Sequence, residues 1–186
     1  MILELLESTR SYRRFREEVR LSDDHVLALA EAVRLSPSAG NLQRIRICPI
    51  TDRESCARVF STLAFAAYLK DWQGPSEGER PAAYAVVMCK GEPDINLAID
   101  SGLCMEAMLL TARERGIGGC IFRSFNKPSL TAILGKEDYT PIAVVALGYP
   151  AEQVVLTEVK EGDIKYYRDS QGTHFVPKHN KEDYVI

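Results

Sequence analysis

The chain has 186 residues, of which 46% are hydrophobic and 26% charged, a composition that excludes disordered, collagenous and coiled-coil proteins. That length suits a single domain, residues 1–186, with enough chain to bury a core. A net charge of −3 without a dominant Lys/Arg-rich tract argues against nucleic-acid binding by bulk electrostatics.

The predicted elements begin with a short helix over 2–8, with Leu3, Leu5 and Leu6 on its apolar side. An arginine-rich turn, Arg10-Ser11-Tyr12-Arg13-Arg14-Phe15-Arg16, follows. Ser22 caps the next helix, in which Val26, Leu29, Ala30 and Val33 repeat at helical spacing. It ends near Leu35, because Ser36 precedes Pro37 and leaves the α region. Ser36 to Asn41 is a loop of turn formers, and Arg46 to Ile50 a weak strand. Thr51 to Glu54 has capping-box spacing and opens a helix to about Phe60. Residues 73–81 form the most polar and flexible stretch, a surface loop. Ala82–Cys89 reads as a buried strand. Asp94–Arg115 reads as a long helix, apolar almost all round, which suits a protein centre or a dimer interface.

Gly116 stops that helix. A short strand over Gly119–Phe122, a helix capped by Asn126, a buried strand over Pro141–Leu147 and a hairpin around Asp169-Ser170-Gln171-Gly172 complete the chain. Long helices mixed with separated strands indicate an α+β fold, because the regular alternation of a doubly wound sheet is missing. The five cysteines (Cys48, Cys56, Cys89, Cys104, Cys120) are odd in number and lack a C-x-x-C pair. They read as free thiols of a reducing compartment. The N-terminus lacks signal-peptide character, and no apolar run approaches the roughly 18 residues of a membrane span, so a cytoplasmic location without membrane partners is expected.

Chemistry-bearing motifs are few. Gly116-Ile117-Gly118-Gly119 follows a helix and opens a strand, the reverse of a nucleotide-binding loop, so it reads as a helix C-cap and tight turn. Ser124-Phe125-Asn126-Lys127 matches S-x-x-K without any companion acyl-enzyme motif. The three histidines have no metal-binding spacing. Two segments remain. The arginines of residues 10–20 present planar forks that suit phosphate oxygens, or form a solvated turn neutralised by Glu17 and Glu18. Pro37-Ser38-Ala39-Gly40-Asn41 is either a plain helix exit or a small-residue loop that approaches a flat ligand closely.

Taken together, Arg10-Ser11-Tyr12-Arg13, the later Pro37-Ser38-Ala39-Gly40-Asn41-Leu42-Gln43, the apolar helix ending in Arg115-Gly116-Ile117-Gly118-Gly119-Cys120 and the Val144–Pro150 strand resemble the nitroreductase family of FMN flavoproteins. The resemblance implies a mainly antiparallel central sheet flanked by helices and an intertwined homodimer with FMN at the subunit interface. Arg10, Ser11 and Arg13 would hold the phosphate, with Lys178 completing that site and His179 in reserve. Pro37, Ser38, Ala39 and Asn41 would line the ring from the other subunit. Phe122, Arg123 and Ser124 would approach its reactive edge. The implied activity is FMN-dependent reduction of a small organic acceptor with NADH or NADPH as donor, and no side chain is singled out as acid or base. Other flavin chemistry on the same scaffold, dehalogenating or flavin-consuming, and a non-enzymatic flavin-binding dimer are the alternatives. Two departures stand out: Arg44-Ile45-Arg46-Ile47 where the family commonly has a Pro-aromatic pattern, and Arg123 at a position usually small or acidic.

Overall fold

A computed structural model describes residues 1–186. Four strands, β1 (Ile45–Ile50), β2 (Ala83–Lys90), β3 (Gly118–Phe122) and β4 (Tyr139–Gly148), form a sheet in the order β1-β2-β4-β3. Every pairing in it is antiparallel, with Ala83 opposite Leu147 and Gly118 opposite Gly148. Residues 83–89 of β2 are all buried, because helices cover both faces of the sheet. Side chains therefore divide by period two. Ala83, Ala85, Val87 and Cys89 join Val145 and Leu147 in one core. Tyr84, Val86 and Met88 join Val144 and Ala146 in the other.

The first core is closed by α2 (Asp23–Leu35) and α4 (Ile95–Glu114), the second by α3 (Arg53–Phe60) and α5 (Lys127–Leu134), while α1 (Ile2–Ser8) lies against α4. Asp94 and Asn126 cap α4 and α5 by accepting from the N–H of Leu97 and Ser129. The cap of α3 is Asp52, which accepts from Ser55 N, in place of the Thr51 capping box expected from sequence. Thr51 instead donates its hydroxyl to Asp23, tying α3 to the start of α2.

Helix α4 has 20 residues and is long and apolar enough to cross a bilayer by length and composition, contrary to the expectation that no segment approaches this. Its packing makes it a core helix: Leu97, Cys104, Met105, Met108 and Leu109 face the sheet, with Asp100 and Ser101 buried among them. The opposite face carries Ile95, Ile99 and Leu103, which stay exposed in the single chain.

The arginine-rich segment passes from β3 to the end of β4. Tyr12 N donates to Gly119 O at 3.0 Å and Arg16 N to Tyr149 O at 2.8 Å. Residues 73–81 are pinned to the same segment, for Phe15 N donates to Glu79 O and Glu17 accepts from the N–H of Gly78 and Arg80. The polar loop is thus held on both sides.

After β4 the chain builds a second sheet, β5 (Val154–Glu158), β6 (Tyr167–Arg168) and β7 (His174–Lys178), ordered β5-β7-β6. The expected hairpin is β6–β7, closed by Asp169, whose carboxylate accepts from the N–H of Gln171 and Thr173. Strand β5 pairs parallel to β7 and has no counterpart in the sequence-based assignment.

Candidate functional site

Because Ser11 and Tyr12 lie beside β3, the basic turn and the end of that strand share one cavity of about 240 Å3. Arg13, Phe122, Arg123 and Ser124 line it, with Phe65 and Tyr166 as aromatic walls. Phe65 packs edge-on against Phe122 at 4.8 Å and against Trp72 at 5.9 Å, so the wall is one aromatic stack.

Its basic end is built from three stretches of chain. Arg13 Nη1 donates to Ser11 O at 3.2 Å and lies 3.4 Å from His174 Nε2, with its guanidinium 4.9 Å above the Tyr166 ring. No carboxylate pairs with that guanidinium or with Arg123, whose side chain is exposed. Arg14 lies 3.4 Å from Glu79, and Arg168 donates to Glu152 at 2.8 Å while covering the Trp72 ring at 4.1 Å. Glu152, only 1% exposed, also accepts from the backbone N–H of Arg13 and Arg14. Neutralisation thus comes from Glu79 and Glu152, while Glu17 is committed to the 78–80 backbone.

His174 is 1% exposed, and its pKa falls to about 4. Burial is the main cause, the Arg13 charge adds to it, and Glu152 opposes it. The imidazole is therefore neutral at neutral pH. Burial also lowers the pKa of Arg168 against the pull of Glu152. The Nε atoms of Arg10, Arg14 and Arg168 and Nδ1 of His174 are buried without hydrogen-bond partners. Among Arg10, Arg13, Arg14, Arg168 and His174 only Arg13 lines the cavity, and its guanidinium, without a carboxylate partner and beside an aromatic wall, suits a flat ligand carrying phosphate.

The other residues singled out from sequence lie elsewhere in the chain. Arg10 donates to Leu6 O at 2.6 Å, closing the C-terminus of α1, and Ser11 bridges to Gly119. Pro37, Ser38 and Ala39 line a separate cavity against Ile99 and Leu103 of α4. Ala39 N donates to buried Asp100, and Ser38 Oγ accepts from Gln43 N. Asn41 and Gln43 have φ of 55° and 49°, in the left-handed region that non-glycine residues seldom occupy. Arg44 is bound to Asp94 and to Glu92 O, away from the first cavity. Lys178 is exposed at the far end of β7 from His174, and His179 meets Asp183 and Tyr184. Neither contacts Arg13. Sequence reasoning missed Glu152, Tyr166, Arg168 and His174, which no local pattern marks.

The family model described as Nitroreductase family matches residues 6–149, more than half of the chain. An Archaeoglobus fulgidus protein assigned as an NADH dehydrogenase/NAD(P)H nitroreductase is 28% identical over 162 residues, which is 81% of this chain and 86% of that one. A nitroreductase family protein of Clostridium novyi NT aligns with a TM-score of 0.67 at 17% identity, covering 81% of this chain and 85% of its own. A protein of Exiguobacterium sibiricum 255-15 assigned as a nitroreductase, solved in complex with FMN, gives 0.66 at 18% identity, covering 81% and 89%. The α+β architecture with its antiparallel sheet is the one those structures share, and the chain belongs to the nitroreductase family.

Proposed function

We propose that the protein is an FMN-dependent oxidoreductase that uses NADH or NADPH to reduce a small organic acceptor. The observation that carries this reading is the cavity where the Arg13 guanidinium, free of any carboxylate, meets the Phe122–Ser124 edge of β3. When bound, FMN supplies the redox chemistry, taking hydride from the nicotinamide and delivering reducing equivalents to the acceptor. The chain's own residues bind, orient and exclude water. Arg13 would hold the phosphate, Ser11 and Arg10 belong to the same turn, and the aromatic wall of Phe65 and Phe122 would exclude water from the cavity. Phe122, Arg123 and Ser124 border the reactive edge.

The ring's other side is supplied by a second subunit. Pro37, Ser38, Ala39 and Asn41 are remote from Arg13 within one chain, and their cavity adjoins the exposed Ile99 and Leu103. A homodimer packed through that face buries the apolar row and completes the site. Lys178 and His179 are far from Arg13 within the chain, so any phosphate contact they make also depends on how the C-terminal sheet meets a bound flavin.

Arg123 favours a second version of the chemistry, an acceptor that is anionic, on the same scaffold. The first test is the absorption spectrum of the purified protein with FMN added. A stoichiometric yellow complex that bleaches with NADH or NADPH under argon is expected. Failure to retain FMN at micromolar concentration overturns the flavin reading, and retention without bleaching leaves a flavin-binding protein that is not an oxidoreductase.

A further inference from the structure

We propose that Glu152 is a positioning residue for the phosphate end of this site: its buried carboxylate sets the Arg13–Arg14 turn and leaves the Arg13 guanidinium available to an anion. The inference rests on the flavin reading above. Its observation is the division of labour within one buried carboxyl group. Oε1 accepts from the backbone N–H of both Arg13 and Arg14, while Oε2 takes the Arg168 guanidinium at 2.8 Å.

Three consequences follow from this geometry. First, both carboxylate oxygens are occupied by main-chain N–H groups and by Arg168, so the Arg13 guanidinium is left without a carboxylate in contact with it. Second, two consecutive N–H groups held by one oxygen fix the backbone from which the Arg13 side chain leaves, sparing a phosphate the ordering of that turn. Third, Arg168 links the turn to β6 and packs on Trp72, so the C-terminal sheet serves as a backstop for a turn more than 130 residues earlier in the chain. Neutral His174, 3.4 Å from Arg13, fills the remaining side without adding positive charge.

Only a carboxylate meets all these donors. In Glu152→Gln one oxygen becomes an amide donor, which must face either Arg168 or the two backbone N–H groups, leaving donor against donor. FMN and riboflavin differ only in the phosphate, so the pair separates a phosphate-positioning role from general damage to the ring pocket. For E152Q, FMN Kd is expected to rise about tenfold or more while riboflavin Kd stays within about twofold of wild type. Hydrogen exchange of the peptide holding Arg13 and Arg14 should accelerate in flavin-free E152Q. Arg168→Met, which frees Oε2 from the guanidinium that holds the carboxyl group against the turn, should show the same selective loss at smaller size, and it serves as the test if E152Q does not fold. Equal weakening of both flavins, unchanged FMN affinity, or tighter FMN binding would each overturn the proposal. The last would mean that Glu152 merely repels the phosphate. Wild type that binds neither flavin removes the flavin reading and this role with it, an outcome visible before any variant is compared. Slow exchange at Arg13 and Arg14 in E152Q would separately refute the hold on the turn.

Discussion

Phe15 lies across Gly148 so closely that a Cβ on the glycine would sit 2.9 Å from the Phe15 Cβ. Tyr12 approaches Gly118 in the same way, at 2.7 Å from a built Cβ, and Gly119 has Leu109 at 2.6 Å and the Ala146 carbonyl at 2.9 Å. Gly118 and Gly148 are therefore the floor on which the basic segment rests, whereas Gly119 makes room for the α4 side of the sheet. Gly148→Ala is expected to cost about 1–3 kcal/mol, since fully buried Phe15 has no free direction in which to move. FMN affinity should fall with it. Urea unfolding decides the point, and wild-type stability in the variant would show that the segment yields.

Arg13→Ala removes a charge-assisted contact worth about 1.5–3 kcal/mol, so FMN Kd should rise roughly 10- to 100-fold with the fold intact. Arg10→Ala has a different signature. Its guanidinium closes α1 through Leu6 O, so that variant should also fray the N-terminal helix. Fluorescence titration with FMN, beside circular dichroism of both variants, separates the effects. Unchanged FMN binding in the Arg10→Ala, Arg13→Ala double variant would remove this turn from the phosphate site.

How much of this was legible in the sequence follows the range of the contacts. Strand β2 could be read directly, because both of its faces are covered and its apolar run is continuous. The Asn126 cap and the Asp169 turn are local hydrogen bonds and could be read as well. Strand β5 could not, because its partner β7 is parallel and its residues are only half buried. Glu152, Arg168 and His174 were invisible for the same reason. Each is an ordinary polar residue in its own segment, and each acquires meaning only when the chain returns to Arg13. The Arg10–Arg13 and Pro37–Gln43 motifs were legible, and the resemblance expects them on opposite subunits; within one chain Arg13 and Pro37–Ala39 line separate cavities.

His174 makes stability depend on pH. An unfolded histidine titrates near 6.5, whereas the folded one holds out to about 4, so the unfolded state binds more protons between these values. The contribution is complete above pH 6.5 and is lost as pH falls towards 4. It amounts to about 3 kcal/mol at its largest. Flavin-free wild type should therefore lose about that much more than His174→Gln between pH 7.5 and 4. Parallel pH profiles for the two proteins would show that His174 is protonated without penalty.

Ile95, Ile99 and Leu103 form one exposed row on α4, with Leu103 45% and Ile99 57% accessible. In a symmetric dimer each appears twice in the same contact, so one substitution places two charges there. Leu103→Glu should yield a monomer in sedimentation velocity at micromolar concentration, and flavin should be lost with the partner's Pro37–Asn41 loop. A monomeric variant that retains FMN would mean that one chain holds the cofactor alone.

The last prediction concerns Arg123. It stands at the mouth of the cavity, exposed and without an acidic partner, whereas Arg44, the other departure from the family pattern, is spent on Asp94. If the proposed site holds the flavin, the Arg123 guanidinium beside its reactive edge favours the anionic reduced form of the cofactor and a negatively charged acceptor as well. Removing it in Arg123→Gly should lower the midpoint potential. For a two-electron couple, a loss of about 1.4 kcal/mol appears as roughly 30 mV. Rates with anionic acceptors should fall more than rates with neutral ones of similar potential, and the difference should shrink as salt is raised. Spectroelectrochemistry of both proteins reads the potential directly. An unchanged midpoint together with an unchanged acceptor preference would place the Arg123 charge in solvent, with no part in tuning the reaction.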